Sequence, residues 1–315
     1  MPILERDPWR MQYFEGVSCP ENVMIPTDDP DCWLLYPQHR WVYNKLTIAE
    51  SQGVACGPHG VPPESFPVFS KPIFNLKGMG IGSTVVCNEE VMAALYHPGH
   101  FWMELFSGDH VSTDCAVVDG SVRWLRHATG LAGEGGTFEC WTIEAGNRPK
   151  LEAKIRDWVK RHMGGYTGMM NFESIGGGLI EAHLRFADQW CDLYGEGWVR
   201  ALVKLYAEGV WDFDDSQRRR GFSIPLFAEH GDEFVHPEDA VQAKIRGLPG
   251  IKSLQITFHE AKEAAHHAMP PGGFRLAVIN ATDLNAGLKA RDELARAFPG
   301  VAMLLDSKPA AAEVA

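Results

Sequence analysis

Polar residues alternate with apolar ones in the stretch MMNFESIGGGLIEAHLR, residues 169–185, on both sides of three consecutive glycines. A period of two predicts two β-strands, and the glycines predict the turn that joins them. If this turn centres on Gly177, Glu173 lies directly opposite Glu181 across the hairpin. The sequence therefore predicts two carboxylates side by side on neighbouring strands.

Two opposed carboxylates repel each other strongly enough to demand an explanation. Their Cβ atoms are roughly 5 Å apart, and at an effective dielectric constant of about 20 the repulsion is about 3 kcal/mol. Protonation of one acid, splaying of both into water or a cation between them would relieve it. Mg²⁺ held by two carboxylates and by substrate phosphates is the usual solution. His183 and Arg185 share the face of Glu181, so a solvated hairpin with Arg185 as counterion is the alternative.

A second candidate site precedes this hairpin, in FPVFSKPIFNLKGMGIGS, residues 66–83. Its aromatic and β-branched start predicts a short strand that carries Lys71. Gly78, Gly80 and Gly82 follow, and such glycines let backbone N–H groups approach an anion while a lysine supplies the countercharge. No Gly-Lys-Ser/Thr follows the glycines, so this is not a Walker loop. An ordinary strand and turn with a solvated lysine is the alternative.

The bulk composition restricts the classes of function. The chain has 315 residues, of which 29 are basic and 41 acidic, giving a net charge of −12. This balance disfavours binding to nucleic acid or to an anionic membrane, because both need a basic surface. The seven cysteines include no CxxC pair, so we expect neither a disulfide framework nor a structural zinc site. Without an export signal or a long apolar run, we expect a cytoplasmic protein.

Local patterns predict the remaining elements. Residues 1–40 are rich in Pro, Asp and Trp and predict an irregular arm on the surface. Asp119-Gly120 between two alternating runs is a strong hairpin signal. Helical spacing predicts helices over 41–54, 88–98, 148–163 and 187–211, the last interrupted at Gly195 and Gly197. Beyond a charged linker, three strands alternate with predicted helices at 237–246, 259–268 and 284–297, and residues 307–315 predict a frayed tail.

The order and spacing of these elements resemble the ATP-grasp superfamily over residues 41 to about 190. In that family an early lysine, a lysine strand and a glycine loop precede an adenine-binding hinge and a hairpin with two metal-binding acids. The resemblance implies an α+β fold in which two α+β lobes enclose a nucleotide, followed by a small C-terminal α/β unit. The implied segments are an arm at 1–40, a small lobe with the hinge at 41–108, a large lobe at 109–211 and the C-terminal unit at 222–306.

The resemblance assigns residues to the nucleotide phosphates. Lys45 in YNKL is similar to the early phosphate lysine, and Lys71 is similar to the strand lysine. The segment NLKGMGIGS, with the three glycines named above, resembles the mobile loop over the phosphates. Lys77 in this loop is implied as an additional contact.

The segment WMELFSGDH resembles the hinge of the family. Glu104 and Phe106 are thereby implied to offer backbone groups to adenine. His110 stands where the family commonly has a ribose-binding acid. On the strand that follows, we interpret Asp114 as an exposed acid, with a supporting role at the site as the alternative.

The hairpin supplies the implied metal ligands, Glu173 and Glu181. The segment EAHLR resembles the family's E-x-N-x-R, so His183 replaces the asparagine and Arg185 corresponds to the arginine. Imidazole is a weaker partner for Mg²⁺ than an amide oxygen, so His183 is a metal ligand, a substrate contact or a structural residue. Only some 40 residues precede Lys45, fewer than in most family members.

The activity that the resemblance implies is ADP-forming ligation. ATP would activate a small carboxylate as an acyl phosphate, and an amine would attack it to form a carbon–nitrogen bond. The implied catalytic residues are Lys71 and Arg185, and the implied cofactors are ATP and Mg²⁺, with Mn²⁺ as the alternative ion. A kinase, a carboxylase and a non-catalytic nucleotide-binding protein are alternatives, and a homo-oligomer is left open.

Overall fold

The computed structural model describes residues 3–5 and 7–305, and the tail predicted at 307–315 lies outside them. In this part of the chain, runs of strands are separated by one or two helices. The strands are β1 (Ile3–Leu4), β2 (Ile25–Pro26), β3 (Cys56–Pro58), β4 (Val68–Pro72), β5 (Thr84–Val86), β6 (His100–Glu104), β7 (His110–Val118), β8 (Ser121–Ala132), β9 (Phe138–Ile143), β10 (Gly168–Ile175), β11 (Gly178–His183), β12 (Gly221–Ala228), β13 (Ile251–Ile256) and β14 (Phe274–Ala281).

The helices are short, and the longest lies near the middle of the sequence. They are α1 (Pro8–Met11), α2 (Asp29–Leu35), α3 (Lys45–Glu50), α4 (Glu89–Ala94), α5 (Pro149–His162), α6 (Trp198–Glu208), α7 (Asp239–Arg246) and α8 (Leu284–Ala295). Among the described residues, no helix combines the length and apolar character that crossing a membrane requires.

The strands assemble into two main sheets. The larger has eight strands in the order β11-β10-β7-β8-β9-β12-β14-β13, and neighbouring strands are antiparallel throughout. The smaller has four antiparallel strands in the order β3-β6-β4-β5. β1 and β2 form a separate parallel pair. The mixed α+β architecture agrees with the sequence-based expectation.

Apolar clusters cover both faces of the large sheet. One contains Trp198 of α6 together with Met169 of β10, and the other contains Trp158 of α5 together with Met170. Because successive residues of a strand point to opposite faces, the odd-numbered residues of β10 share the face of Met169. Glu173 therefore lies on the side of the sheet that α6 covers further along.

The C-terminal strands continue the large sheet. Ser223 of β12 pairs with Trp141 of β9, so the region predicted as a small α/β unit is joined to the preceding strands by backbone hydrogen bonds. Helices α7 and α8 pack on these strands through a third apolar cluster that includes Ile245 and Leu294. The implied boundary at residue 222 therefore falls within one continuous sheet.

Two predicted helices differ from the structure for local reasons. The helix expected at 259–268 is only a 3-10 turn at Ala264–His266, and Ala264 is the one buried residue of that turn. A segment without an apolar face gains too little from packing to stabilise a helix. The helix expected at 41–54 is divided at Asn44, whose side chain accepts a hydrogen bond from the Thr47 N–H at 3.0 Å. Asparagine favours this N-cap role.

Asp114 of β7 is buried, which contradicts its interpretation as an exposed acid. Its carboxylate accepts hydrogen bonds from Asn171 Nδ2 at 2.7 Å and from Tyr194 Oη at 2.7 Å. It also accepts the backbone N–H of Ala187 at 2.9 Å, so it fixes the chain immediately after β11 and Arg185. Burial is the dominant influence and raises the pKa of Asp114 to about 6, although these hydrogen bonds oppose the rise.

This pKa gives Asp114 a testable effect on stability. Because the folded-state pKa lies above the ordinary value of 3.8, the contribution of Asp114 to stability is full below pH 4 and is lost as the pH rises through 6. The difference in unfolding free energy between the native chain and Asp114→Asn should therefore shift against the native chain by roughly 3 kcal/mol between pH 4 and pH 7. Urea denaturation at each pH measures the difference, and a difference that does not vary with pH would contradict this assignment.

Candidate functional site

The hairpin of β10 and β11 has the predicted register at the two glutamates. Glu173 pairs with Glu181 and Asn171 pairs with His183. Beyond Glu173 a bulge shifts the register by one residue, so that Ser174 pairs with Leu179. The opposed carboxylates predicted from the sequence are therefore present, next to an irregular turn.

The glycines of this turn are required by a neighbouring segment. Gly176 and Gly177 have φ angles of 57° and 86°, which favour glycine. A Cβ atom on Gly176 would lie 2.1 Å from the carbonyl oxygen of Ser107, and one on Gly178 would lie 2.4 Å from the ring of Phe106. The turn is thus packed tightly on the segment that links the two main sheets.

Three side chains of the hairpin converge on one point. Glu173, Glu181 and His183 each offer a ligand atom, and these atoms lie within 4.8 Å of one another. His183 is buried, and its Nε2 is 3.9 Å from Oε1 of Glu181. Two carboxylate oxygens and one imidazole nitrogen at these separations fit a divalent cation.

Separate cations balance the two carboxylates. Lys45, the first residue of α3, forms an ion pair with Oε2 of Glu181. Burial alone would raise the pKa of Glu181, but Lys45 and His183 hold it well below its usual range. His110 of β7 lies 2.9 Å from Oε2 of Glu173 through its Nε2. Burial opposes protonation of His110, but the hydrogen bond with Glu173 raises its pKa.

Lys71 of β4 is buried beside the same acids. Its Nζ donates a hydrogen bond to the carbonyl oxygen of Ile180 at 2.7 Å. Ile180 lies on the outer edge of β11. The preceding residue, Leu179, donates its N–H to the side-chain oxygen of Gln52 and accepts a hydrogen bond from the side-chain nitrogen of Gln52, both at 2.8 Å. Burial, followed by the nearby charge of Lys45, lowers the pKa of Lys71 to about 7. An arriving anion would stabilise its charged form.

Arg185 and His183 share a carboxylate from the N-terminal arm. Nε of Arg185 is 3.0 Å from Oδ1 of Asp29, and its Nη2 donates to Oδ2 at 3.1 Å. Nδ1 of His183 lies 2.9 Å from the same Oδ2. Burial would raise the pKa of Asp29, but Arg185 and His183 lower it to about 2. Burial opposes the charge on His183, yet Asp29 raises its pKa to about 9.

Comparison with known proteins identifies this arrangement at the level of the fold. No protein-family model matches the chain, and no curated protein matches its sequence. Among solved structures, an L-amino acid ligase from Bacillus licheniformis is similar at 12% identity and a TM-score of 0.63, over 94% of this chain and 83% of that chain. A phosphoribosylamine–glycine ligase from Thermotoga maritima is similar at 14% identity and a TM-score of 0.60, over 93% and 87%.

The chain has the ATP-grasp fold. A further structure with this fold is the biotin carboxylase domain of a 2-oxoglutarate carboxylase from Hydrogenobacter thermophilus, which holds MgADP and bicarbonate. It is 12% identical, with a TM-score of 0.55, over 85% of this chain and 68% of that chain. The predicted small lobe corresponds to the sheet of β3 to β6 and the predicted large lobe includes β7 to β11, and this division of the chain stays a prediction.

The loop predicted to cover the ATP-grasp phosphates extends from the small sheet towards the large lobe. Gly78, Gly80 and Gly82 all have positive φ angles, between 64° and 76°. The backbone oxygen of Met79 at the loop tip would be 3.2 Å from a Cβ atom on Gly136, which precedes β9. Lys77 is exposed on this loop, outside the group of side chains gathered around the two glutamates.

The segment predicted to form the hinge is partly hydrogen-bonded beside the small sheet. The N–H of Glu104 donates to the carbonyl oxygen of Ala55 at 2.9 Å, so any adenine contact of Glu104 would have to use its carbonyl oxygen. The ring of Phe106 packs against Gly178 of the hairpin. His110, predicted at the ribose position, contacts the carboxylate of Glu173, and its role toward a ribose stays a prediction.

Asp29 is the site residue that the sequence did not reveal. It is the second of three aspartates in DDPD, residues 28–31, where Asp28 acts as N-cap and accepts the Asp31 N–H at 2.8 Å. Acids in the first turn of a helix are explained by capping and by the helix dipole. The only signal for Asp29 in the sequence was therefore that this helical turn carries more acidic residues than an N-cap requires.

The ion pair between Lys45 and Glu181 gives a prediction for this candidate site. Lys45→Met should lower the unfolding free energy by about 3 kcal/mol, because a buried carboxylate loses its ammonium partner. Adding Glu181→Gln to that variant should recover most of the loss. Urea denaturation measures both changes.

The matched control is an exposed ion pair. Arg161 and Asp157 are paired with side chains that are 52% and 62% exposed, so Arg161→Met should change stability by less than about 1 kcal/mol. If Lys45→Met had no larger effect than Arg161→Met, the pair with Glu181 would contribute no more than a surface contact.

Proposed function

We propose that this protein is an ATP-dependent, ADP-forming ligase that activates a small carboxylate as an acyl phosphate for attack by an amine. One observation carries the proposal: the opposed carboxylates of Glu173 and Glu181 meet His183 beside the buried Lys71 and the partly buried Lys45, in a chain with the ATP-grasp fold. A solvated hairpin face would not require buried cations from other elements. The alternative of a solvated hairpin with Arg185 as counterion is therefore disfavoured.

A divalent cation fits the acidic end of this site. Glu173 and Glu181 each provide a carboxylate oxygen, and the ion of a nucleotide complex would complete its shell with phosphate oxygens. Such an ion neutralises charge that develops on the transferred phosphoryl group. The similar structure that holds MgADP supports this assignment by analogy of fold.

The two lysines are suited to phosphates because of where they are held. Lys45 begins a helix and Lys71 is the penultimate residue of a strand, so both side chains extend from regular elements rather than from loops. Incoming phosphate would draw Lys45 from Glu181, whose carboxylate would then be free for the cation. Lys71 would gain full charge, because an anion removes the penalty that its burial imposes.

Arg185 is suited to the acid substrate or to the transferred phosphoryl group. One of its terminal nitrogens donates to Asp29 and the other donates to the carbonyl oxygen of Phe186 at 3.1 Å. A guanidinium has five N–H groups, so each terminal nitrogen keeps one for a further acceptor. Its side chain is 20% exposed, which leaves a path to a small molecule.

The proposed reaction has two steps. A carboxylate oxygen of the acid attacks the γ-phosphorus of ATP, the bond to the β-phosphate oxygen breaks, and ADP leaves. The amine then attacks the carbonyl carbon of the acyl phosphate, loses a proton and expels inorganic phosphate. Catalysis consists mainly of positioning and charge neutralisation, to which Lys71 and Arg185 contribute.

Oxygen labelling tests this reaction directly. After a screen of acids and amines for ADP release, the active acid is supplied with its carboxylate labelled with ¹⁸O. The account predicts ADP and phosphate that carries one labelled oxygen, measured by mass spectrometry. Glu173→Gln and Glu181→Gln should each reduce turnover at least about a hundredfold, because each removes a cation ligand.

A matched control and two outcomes make this test decisive. Glu196→Gln, on an exposed turn before α6, should leave turnover unchanged. AMP and pyrophosphate as products would indicate adenylation and contradict the ligase mechanism. ADP with unlabelled phosphate would favour a kinase or a hydrolase that uses the same nucleotide site.

A further inference from the structure

Asp29 of the N-terminal arm reaches the candidate metal site although it is far from it in sequence. It is 4% exposed, and its Oδ2 lies within hydrogen-bond distance of both His183 and Arg185. No other carboxylate of the described chain is paired with either of these two residues at less than 3.9 Å. The arm therefore supplies the counterion for the end of β11.

The contact with Asp29 determines which nitrogen of His183 faces the acids. Nδ1 is occupied by Oδ2 of Asp29 at 2.9 Å, whereas Nε2 points towards Oε1 of Glu181 at 3.9 Å. A carboxylate that accepts from one ring nitrogen fixes the orientation of the imidazole and increases the basicity of the other nitrogen. Metal-binding histidines in proteins commonly have such a partner.

We propose that Asp29 is a positioning residue that holds His183 as a nitrogen ligand, so that the site prefers Mn²⁺ to Mg²⁺. This inference rests on the proposed function, because it concerns the cation of the same site. The donor set of Glu173, Glu181 and His183 contains an imidazole, which suits first-row transition ions better than Mg²⁺. Mg²⁺ prefers oxygen ligands and water in a regular octahedron.

The geometry favours ligation over a purely structural role for His183. A structural histidine needs only its bond to Asp29, yet Nε2 is also brought within 4.8 Å of an oxygen from each glutamate. When a cation binds there, the Nε2 proton is released to solvent. Arg185 keeps its own contacts with Asp29 in both states, so the arm would support the cation and the guanidinium together.

The experiment measures Mn²⁺ binding to the full chain by electron paramagnetic resonance, without nucleotide and with Mg²⁺ as competitor. The native chain should bind Mn²⁺ at least about ten times more tightly than Mg²⁺, and spin-echo modulation should show coupling to ¹⁴N. His183→Asn should abolish the ¹⁴N coupling and most of the preference. Asp29→Asn should weaken Mn²⁺ binding at least about tenfold.

Two comparisons separate positioning from a structural effect. If Asp29 acts through His183, then Asp29→Asn should add no further loss of Mn²⁺ affinity in a His183→Asn chain. Asp31→Asn, in the same helical turn, should leave Mn²⁺ binding unchanged. Additive losses, absence of ¹⁴N coupling or equal binding of both ions to the native chain would each overturn the inference.

A separate measurement distinguishes failure of this inference from failure of the proposed function. Calorimetric titration with a non-hydrolysable ATP analogue in excess Mg²⁺ should show nucleotide binding in the native chain and in His183→Asn. Nucleotide binding without a preference for Mn²⁺ would overturn the inference and leave the proposed function intact. Absence of nucleotide binding in the native chain would contradict the proposed function itself.

Discussion

The repulsion between Glu173 and Glu181 is the constraint around which the site is organised. Backbone pairing of β10 with β11 fixes these carboxylates opposite each other, so neither can move away without loss of the register. In the described chain, positive groups from several elements surround the pair instead. Lys45 neutralises Glu181, and His110 contacts Glu173. Charges held in this way can be exchanged for a cation and phosphates without rebuilding the hairpin.

The same hairpin also carries the contacts between the two main sheets. The small lobe contributes Lys71 and Gln52, which bind the outer edge of β11, where an unpaired strand would otherwise expose its backbone groups. The hairpin turn, in turn, packs against the segment that joins the lobes, through the close approach of Gly176 to Ser107. The hairpin that carries the two acids is therefore also the place where segments in and beside the smaller sheet contact the larger sheet.

Short-range patterns in the sequence were sufficient for the centre of the site. Alternation and a glycine turn predicted that Glu173 faces Glu181, and this is confirmed because register within a hairpin depends on neighbouring residues. The bulge after Glu173 was not predicted, and the turn that follows it packs on Ser107, a residue distant in sequence. Residues that depend on long-range packing were missed: Asp29, predicted on a surface arm, and Asp114, predicted as exposed.

The joining of the C-terminal strands to the large sheet was missed for the same reason. Local patterns identified β12, β13 and β14 as strands, but no local signal states that β12 pairs with β9. The roles of Lys77, Glu104 and Phe106 stay predictions, since they concern a nucleotide that would enter between the lobes. The predicted roles of Lys45, Lys71 and Glu181 have stronger support. Enclosing charged side chains in the protein costs free energy, so their positions indicate a role.

A crystal structure with a non-hydrolysable ATP analogue and Mn²⁺, with anomalous diffraction from the metal, tests the central claim most directly. The account predicts an anomalous peak between the carboxylates of Glu173 and Glu181, bridged to the phosphates, with Nζ of Lys45 moved from Glu181 to a phosphate oxygen. A bound nucleotide with no metal at this pair and with the Lys45–Glu181 contact intact would contradict the account.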